Sequence, residues 1–123
     1  MKTHFNRLLA CSLLLLPLSL PAAKPKSLET QALETMKTAT QYMVDVVSYR
    51  GGFVWNYLPD FSRQWGEMEA KRTMVWTQDP GTPQMGQLLL DAYHATGDEY
   101  YYDAAKKVAQ ALIWGQQDNG GWN

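Results

Sequence analysis

The sequence predicts an all-α chain: antiparallel helical hairpins with one long aromatic-rich loop between them. Three observations predict it. Apolar residues recur at helical spacing in three stretches, near 28–48, 83–96 and 98–114. Gly97 alone separates the last two, and so short a link folds two helices back on each other. A Gly-Gly-aromatic turn closes the first stretch as Gly51-Gly52-Phe53 and returns 69 residues later as Gly120-Gly121-Trp122. A repeated helix-and-turn unit must stack on its own kind to bury its apolar face, as in a helical solenoid or a closed toroid.

The chain opens on a targeting pattern. Lys2 and Arg7 make a positive start, Leu8–Leu20 an apolar run, and Pro21-Ala22-Ala23 a small-residue cleavage site. The run is too short to span a bilayer, so residues 1–23 read as a secretory signal, cut at Ala23 or Lys24. Leu8-Leu9-Ala10-Cys11 has the look of a lipoprotein box, but a cut there leaves almost no apolar core ahead of the cysteine. Cys11 is the only cysteine and leaves with the signal, so the mature chain carries no disulfide or thiol chemistry. The expected location is secreted or periplasmic, with no membrane contact after cleavage.

Removing Lys2 and Arg7 leaves 9 of the 11 basic residues against all 12 acidic ones, a net charge of −3. That balance argues against a nucleic-acid partner. It allows an acidic sugar polymer, which needs only local Arg and Lys.

In the mature part, Ser27 is placed to cap a first helix whose apolar stripe is Leu28, Ala32, Met36, Ala39, Met43 and Val46, running to about Ser48. Gly51-Gly52 breaks it. Val54 to Gly81 is irregular and holds Trp55, Tyr57, Phe61, Trp65 and Trp76, with short strands allowed at Phe53–Leu58 and Thr73–Thr77. Thr82 as N-cap and Pro83 at the first helical position start a second helix, with Met85, Leu88, Leu89, Ala92 and Ala95 on its buried face. Gly86 inside it marks a close neighbour or a weak spot. Asp98 caps the third helix, which buries Tyr101, Ala104, Ala105, Val108, Ala111 and Leu112. Asp103 and Lys107 form an i,i+4 pair on its outer face, and Gly115 supplies a left-handed stop.

Gln116-x-x-x-Gly120-x-Trp122 resembles the Gln-Gly-Trp turn of α/α-toroid proteins. With RGGFVWNY at 50–57, WTQDPGTPQMG at 76–86, DAYHATGDEYYYDAAKKVAQALIWGQ at 91–116 and NGGWN at 119–123, the chain is similar to the N-terminal part of the secreted pectate lyase, or pectic acid lyase, family. The resemblance implies the first hairpins of an α/α toroid over residues 24–123, and a chain that continues beyond Asn123. It implies β-elimination on pectate, an acidic polysaccharide, assisted by calcium. In that family the catalytic arginine and the calcium-binding carboxylates lie further along than these motifs. No catalytic residue and no metal ligand is therefore assigned here, and residues 24–123 alone are expected to be inactive.

What the chain can supply is a binding surface. Arg50, Arg63 and Arg72 suit uronate carboxylates, because a guanidinium offers paired donors in a planar fork; each also suits ordinary loop bracing. Trp55 and Trp65 offer flat faces to sugar rings and equally suit a core; Trp76 and Trp122 share that chemistry, but Trp122, in the turn that locks the helices, reads first as core. Glu67 and Glu69 share a face if the segment is extended, as an acid pair or metal site needs, or they are simply solvated. Asp79 before Pro80 reads as a turn former. His94 sits where positive charge suits a helix C-terminus and has no partners for zinc or nucleophilic chemistry. Tyr100, Tyr101 and Tyr102 divide between core and solvent. Other readings are a toroid glycoside hydrolase, which needs a carboxylate pair, and a non-catalytic helical-repeat module for glycans or proteins. A terpene-cyclase relative needs an acidic proton-donor motif that is absent.

Overall fold

The computed structural model describes residues 25–122; the segment 1–23 read as a signal lies outside the described residues. The elements run α1 (Leu28–Tyr42), a π-helical turn (Met43–Val47), β1 (Asn56–Tyr57), β2 (Gln64–Trp65), β3 (Glu69–Ala70), α2 (Thr82–Thr96) and α3 (Glu99–Gly115). The all-α expectation is thus corrected: the long loop carries an antiparallel sheet in the order β1-β2-β3. The described part is mixed, with one helical hairpin, α2–α3. After its π-turn, α1 leads into the sheet rather than into a partner helix.

Turn chemistry makes the sheet. Asp60 Oδ1 accepts from Ser62 N–H at 3.0 Å and from Ser62 Oγ–H at 2.7 Å, and Phe61 takes a left-handed φ of 56°. That reversal sets Asn56 opposite Trp65 and Tyr57 opposite Gln64. A second reversal at Gly66–Met68 sets Trp65 opposite Glu69 and Gln64 opposite Ala70. Alternation then sends Gln64 and Ala70 inward and Asn56, Trp65 and Glu69 outward. Of the two expected strands, β1 falls within Phe53–Leu58. Thr73–Thr77 is not a strand: Trp76 N–H bonds Phe53 O at 2.8 Å, but no ladder follows.

Ser27 caps α1 as its sequence suggests, its Oγ accepting from Thr30 N–H at 3.1 Å. The helix does not continue regularly to Ser48. The π-turn inserts an extra residue and rotates the chain beyond it. Val44 and Val47 are buried instead of Met43 and Val46, and no residue of α1 itself is buried.

The α2–α3 hairpin forms as expected. Gly97 closes α2 with a left-handed φ of 68°, and Asp98 Oδ1 accepts from Tyr100 N–H at 3.0 Å to start α3. Gly86 lies against Val108; a Cβ there would stand 3.3 Å from Val108 Cγ1. Positions equidistant from the link therefore meet, which makes the pair antiparallel. Tyr101, Ala104, Ala105, Val108 and Ala111 are buried. Leu88 and Ala95 are exposed and Leu112 only half-buried, because the core lies along Leu89. Gly81 rather than Thr82 is the N-cap of α2. Gly115 is the last helical residue of α3, followed by Gln116 in an extended conformation, so the stop is not left-handed. Asp103 pairs with Lys106 at 2.6 Å, and Lys107 reaches Asp45 at 3.6 Å instead.

Leu89, Tyr101, Ala104, Ala105, Val108, Val44 and Phe53 form one core cluster. Phe53 is locked there by Thr82, which is 0 % exposed. Phe53 N–H donates to Thr82 Oγ1 at 2.9 Å, and that hydroxyl donates to Phe53 O at 3.0 Å. Gly51, at φ 88°, lets the chain press against α3; a Cβ there would stand 2.5 Å from Lys107 O. No described helix is long and apolar enough to cross a membrane.

Candidate functional site

The sheet borders a cleft of about 270 Å³ lined by Phe61, Arg63, Gln64, Glu69, Lys71 and Arg72, with Ser62 and Ala70. Three cations and one carboxylate line it. One turn and one strand place them: the Asp60–Ser62 reversal delivers Phe61 and Arg63, and β3 runs straight into Lys71 and Arg72.

Arg63 grips Glu69 with a two-pronged fork, Nε to Oε1 at 2.8 Å and Nη2 to Oε2 at 2.7 Å. Its guanidinium lies over Trp65, 5.0 Å from the ring centroid. These bonds hold Glu69 below the ordinary carboxylate range and raise Arg63 further. Arg72 is held differently: it donates to Val46 O at 3.3 Å and lies over Phe61 at 5.8 Å, while Phe61 meets Tyr57 edge to face. Among the described residues neither Arg72 nor Lys71 has a carboxylate within ion-pair distance. Asp60, on the adjoining turn, spends its carboxylate on Ser62, which holds it below the ordinary range. Gln64 is the floor, 2 % exposed, its Nε2 donating to Lys71 O at 2.6 Å. That bond fixes the backbone from which Lys71 and Arg72 project.

Of the five binding residues expected from sequence, the fold brings Arg63 and Arg72 to this cleft, with Trp65 beneath Arg63. Arg50 stands elsewhere, 4.6 Å from the Trp114 ring centroid near the end of α3. Trp55 packs edge to face on Trp76 at 5.9 Å and donates Nε1–H to Gln78 O at 3.3 Å, a bracing role. Lys71 and Gln64 were not singled out by sequence. No sequence pattern points to them, because the two-residue strands β2 and β3 that place them are set by turns.

Glu67 and Glu69 do not form an acid pair, since Glu69 is taken by Arg63. Among the described residues no group of three or more His, Cys, Asp and Glu side chains converges as metal ligands would. The ligand set for calcium does not fit the described residues. Asp79 sits in a turn before α2, joined to Pro80 by a cis peptide. His94 is exposed on the last turn of α2 beside Tyr93. Trp122 donates Nε1–H to Leu112 O at 2.9 Å, so it satisfies one of the carbonyls of the last turn of α3.

A scan against protein-family models, a search of curated proteins and a search of solved structures find no match to this chain.

Proposed function

We propose that this chain belongs to an exported polysaccharide lyase of the pectate class, and that the cleft over its sheet is a subsite for the uronate units of an acidic polysaccharide. One observation carries the binding part: Arg72 and Lys71 border a cleft of sugar-ring size with no carboxylate of the described chain to neutralise them. The sequence resemblance carries the lyase part, and the pattern over residues 1–23 carries export.

β-Elimination removes the C5 proton of a uronate and breaks the C4–O bond, leaving a 4,5-unsaturated sugar. The C5 proton resists removal because the neighbouring carboxylate is anionic. Cations placed on that carboxylate lower its negative charge and make the proton more acidic. Arg72 and Lys71 bind and orient it in this way, and Arg63 over Trp65 adds a flat cationic edge to the cleft. The calcium implied by the resemblance has no ligand set among the described residues, and no step is assigned to it.

A non-catalytic glycan-binding module is the second reading. The observation that favours it is that the cleft offers cations and an aromatic edge, while its one carboxylate is tied to Arg63. Calorimetry of the full chain with polygalacturonate and with its fully methyl-esterified form tests binding; the ultraviolet absorbance of the unsaturated product, with and without a chelator, tests cleavage. Binding to the free acid without product is what both readings expect of a chain that lacks the catalytic arginine. Product would favour the lyase and place its catalytic centre within these residues. Equal binding to both polymers, or to neither, contradicts the uronate subsite.

A further inference from the structure

Resting on the uronate reading above for its consequence, we infer that Met74 is a methionine oxidation site, and that its sulfoxide loosens the turn that carries Lys71 and Arg72 and so weakens uronate binding. One residue closes that turn from both sides. Met74 N–H donates to Lys71 O at 2.9 Å, and Lys71 N–H donates to Met74 Sδ at 3.4 Å. Gln64 Nε2 also binds Lys71 O, but among the described residues Lys71 N–H has no partner besides the sulfur. Arg72 follows directly, held by a 3.3 Å bond to Val46 O and by the Phe61 face.

The sulfur lies within reach of solvent. Met74 is 38 % exposed and lines, with Met68, Val75 and Trp76, a separate cleft of about 330 Å³. Exposure alone does not single it out, since Met68 on the same cleft is 65 % exposed and Met36 equals Met74. The hydrogen bond does: among the described residues Met74 is the one methionine whose sulfur accepts from a backbone N–H. With Cys11 read as leaving with the signal, thioethers are the groups of the exported chain that a peroxide oxidises most readily.

The oxidant is a hydroperoxide, hydrogen peroxide in the simplest case. A sulfur lone pair attacks one peroxide oxygen and the O–O bond breaks. The proton left on the transferred oxygen passes to the departing hydroxide, giving sulfoxide and water. Sulfur gives up two electrons and the peroxide takes them. If the lone pair that faces Lys71 reacts, an oxygen stands on the line to the nitrogen; an N–H···O bond alone needs about 2.7–3.2 Å, so a third heavy atom does not fit within 3.4 Å. If the other lone pair reacts, the sulfur becomes partly positive and repels the N–H it had accepted from. Either sulfoxide epimer therefore ends the bond in its present form.

The test exposes the full chain, its Met68→Leu variant and its Met74→Leu variant to graded hydrogen peroxide. Peptide mass spectrometry locates the added oxygen, hydrogen exchange by NMR follows the Lys71 amide with no ligand present, and calorimetry follows a galacturonate oligomer. In Met68→Leu, oxygen is expected on Met74, with Lys71 exchange rising about tenfold and oligomer affinity falling about fivefold. A methionine sulfoxide reductase with a dithiol should reverse both, the oxygen leaving as water and the dithiol becoming a disulfide. Met74→Leu keeps the bulk without the sulfur, so its Lys71 amide should exchange fast from the start and not respond to peroxide. A Met74 sulfoxide with unchanged Lys71 exchange would overturn the inference. So would a Met74 that stays intact while Met36 is oxidised, a peroxide effect on Lys71 undiminished in Met74→Leu, or faster exchange with undiminished affinity. Faster exchange in a chain that binds no uronate before or after peroxide would uphold the oxidation site and remove the uronate reading.

Discussion

Arg72 and Arg63 have the same chemistry and different circumstances. Arg63 already holds a carboxylate, Glu69, in fork geometry, so an incoming uronate must compete with it. Arg72 has only a carbonyl and an aromatic face. Arg72→Gln should therefore weaken uronate binding more than Arg63→Gln does. Glu69→Gln, which frees the Arg63 fork, should strengthen it; isothermal titration with a short galacturonate oligomer measures all three. None of these partners was legible in the sequence, where the arginines look alike. What distinguishes them is a β-sheet register that places Glu69 opposite Trp65, two residues from Arg63. Asp98 was legible, because a cap needs only its own neighbours. Lys37 holds the same carboxylate at 2.6 Å and, with the Tyr100 N–H, keeps it ionised below the ordinary range. A depressed carboxylate stabilises the fold above its unfolded pKa and loses that contribution as pH falls through the folded value. Thermal melts taken from neutral pH down to about pH 2 should show this loss. It should be smaller in Asp98→Asn, which keeps a capping oxygen but not the charge.

At the scale of elements, the α2–α3 hairpin was readable because its signals are local and long. Apolar residues repeat over four turns, Asp98 caps, and Gly97 links. Val108 sits at the centre of that face, so Val108→Asp buries a charge without a partner and should cost about 4 kcal/mol. Urea denaturation measures it, and a parent-like midpoint would mean that the hairpin face is misassigned. The sheet was not readable for a physical reason. Each strand is two residues long, too short for alternation to register, and each is set by a turn rather than by propensity. The π-turn after α1 was hidden in the same way, since one inserted residue leaves the helical periodicity intact on either side and changes only which face is buried.

For the whole molecule, the join between loop and hairpin is the Thr82–Phe53 clasp. It spans 29 residues of sequence and ties the entry to the sheet to the first turn of α2. Thr82→Val keeps the shape and strands Phe53 N–H in the core, while Phe53 O keeps its bond from Trp76 N–H, at about 2 kcal/mol. Chemical denaturation should give that loss in one cooperative transition, because helices and sheet share the core around Phe53. In the proposed reading the sheet is the scaffold that holds Lys71 and Arg72 beside one cleft. The most direct measurement is therefore calorimetric binding of the full chain to polygalacturonate at low and moderate salt, for the parent and for Arg72→Gln with Lys71→Gln. The account predicts that the parent binds, that salt weakens it, and that the double variant melts like the parent yet loses at least about tenfold in affinity. Undiminished binding in a folded double variant would contradict it.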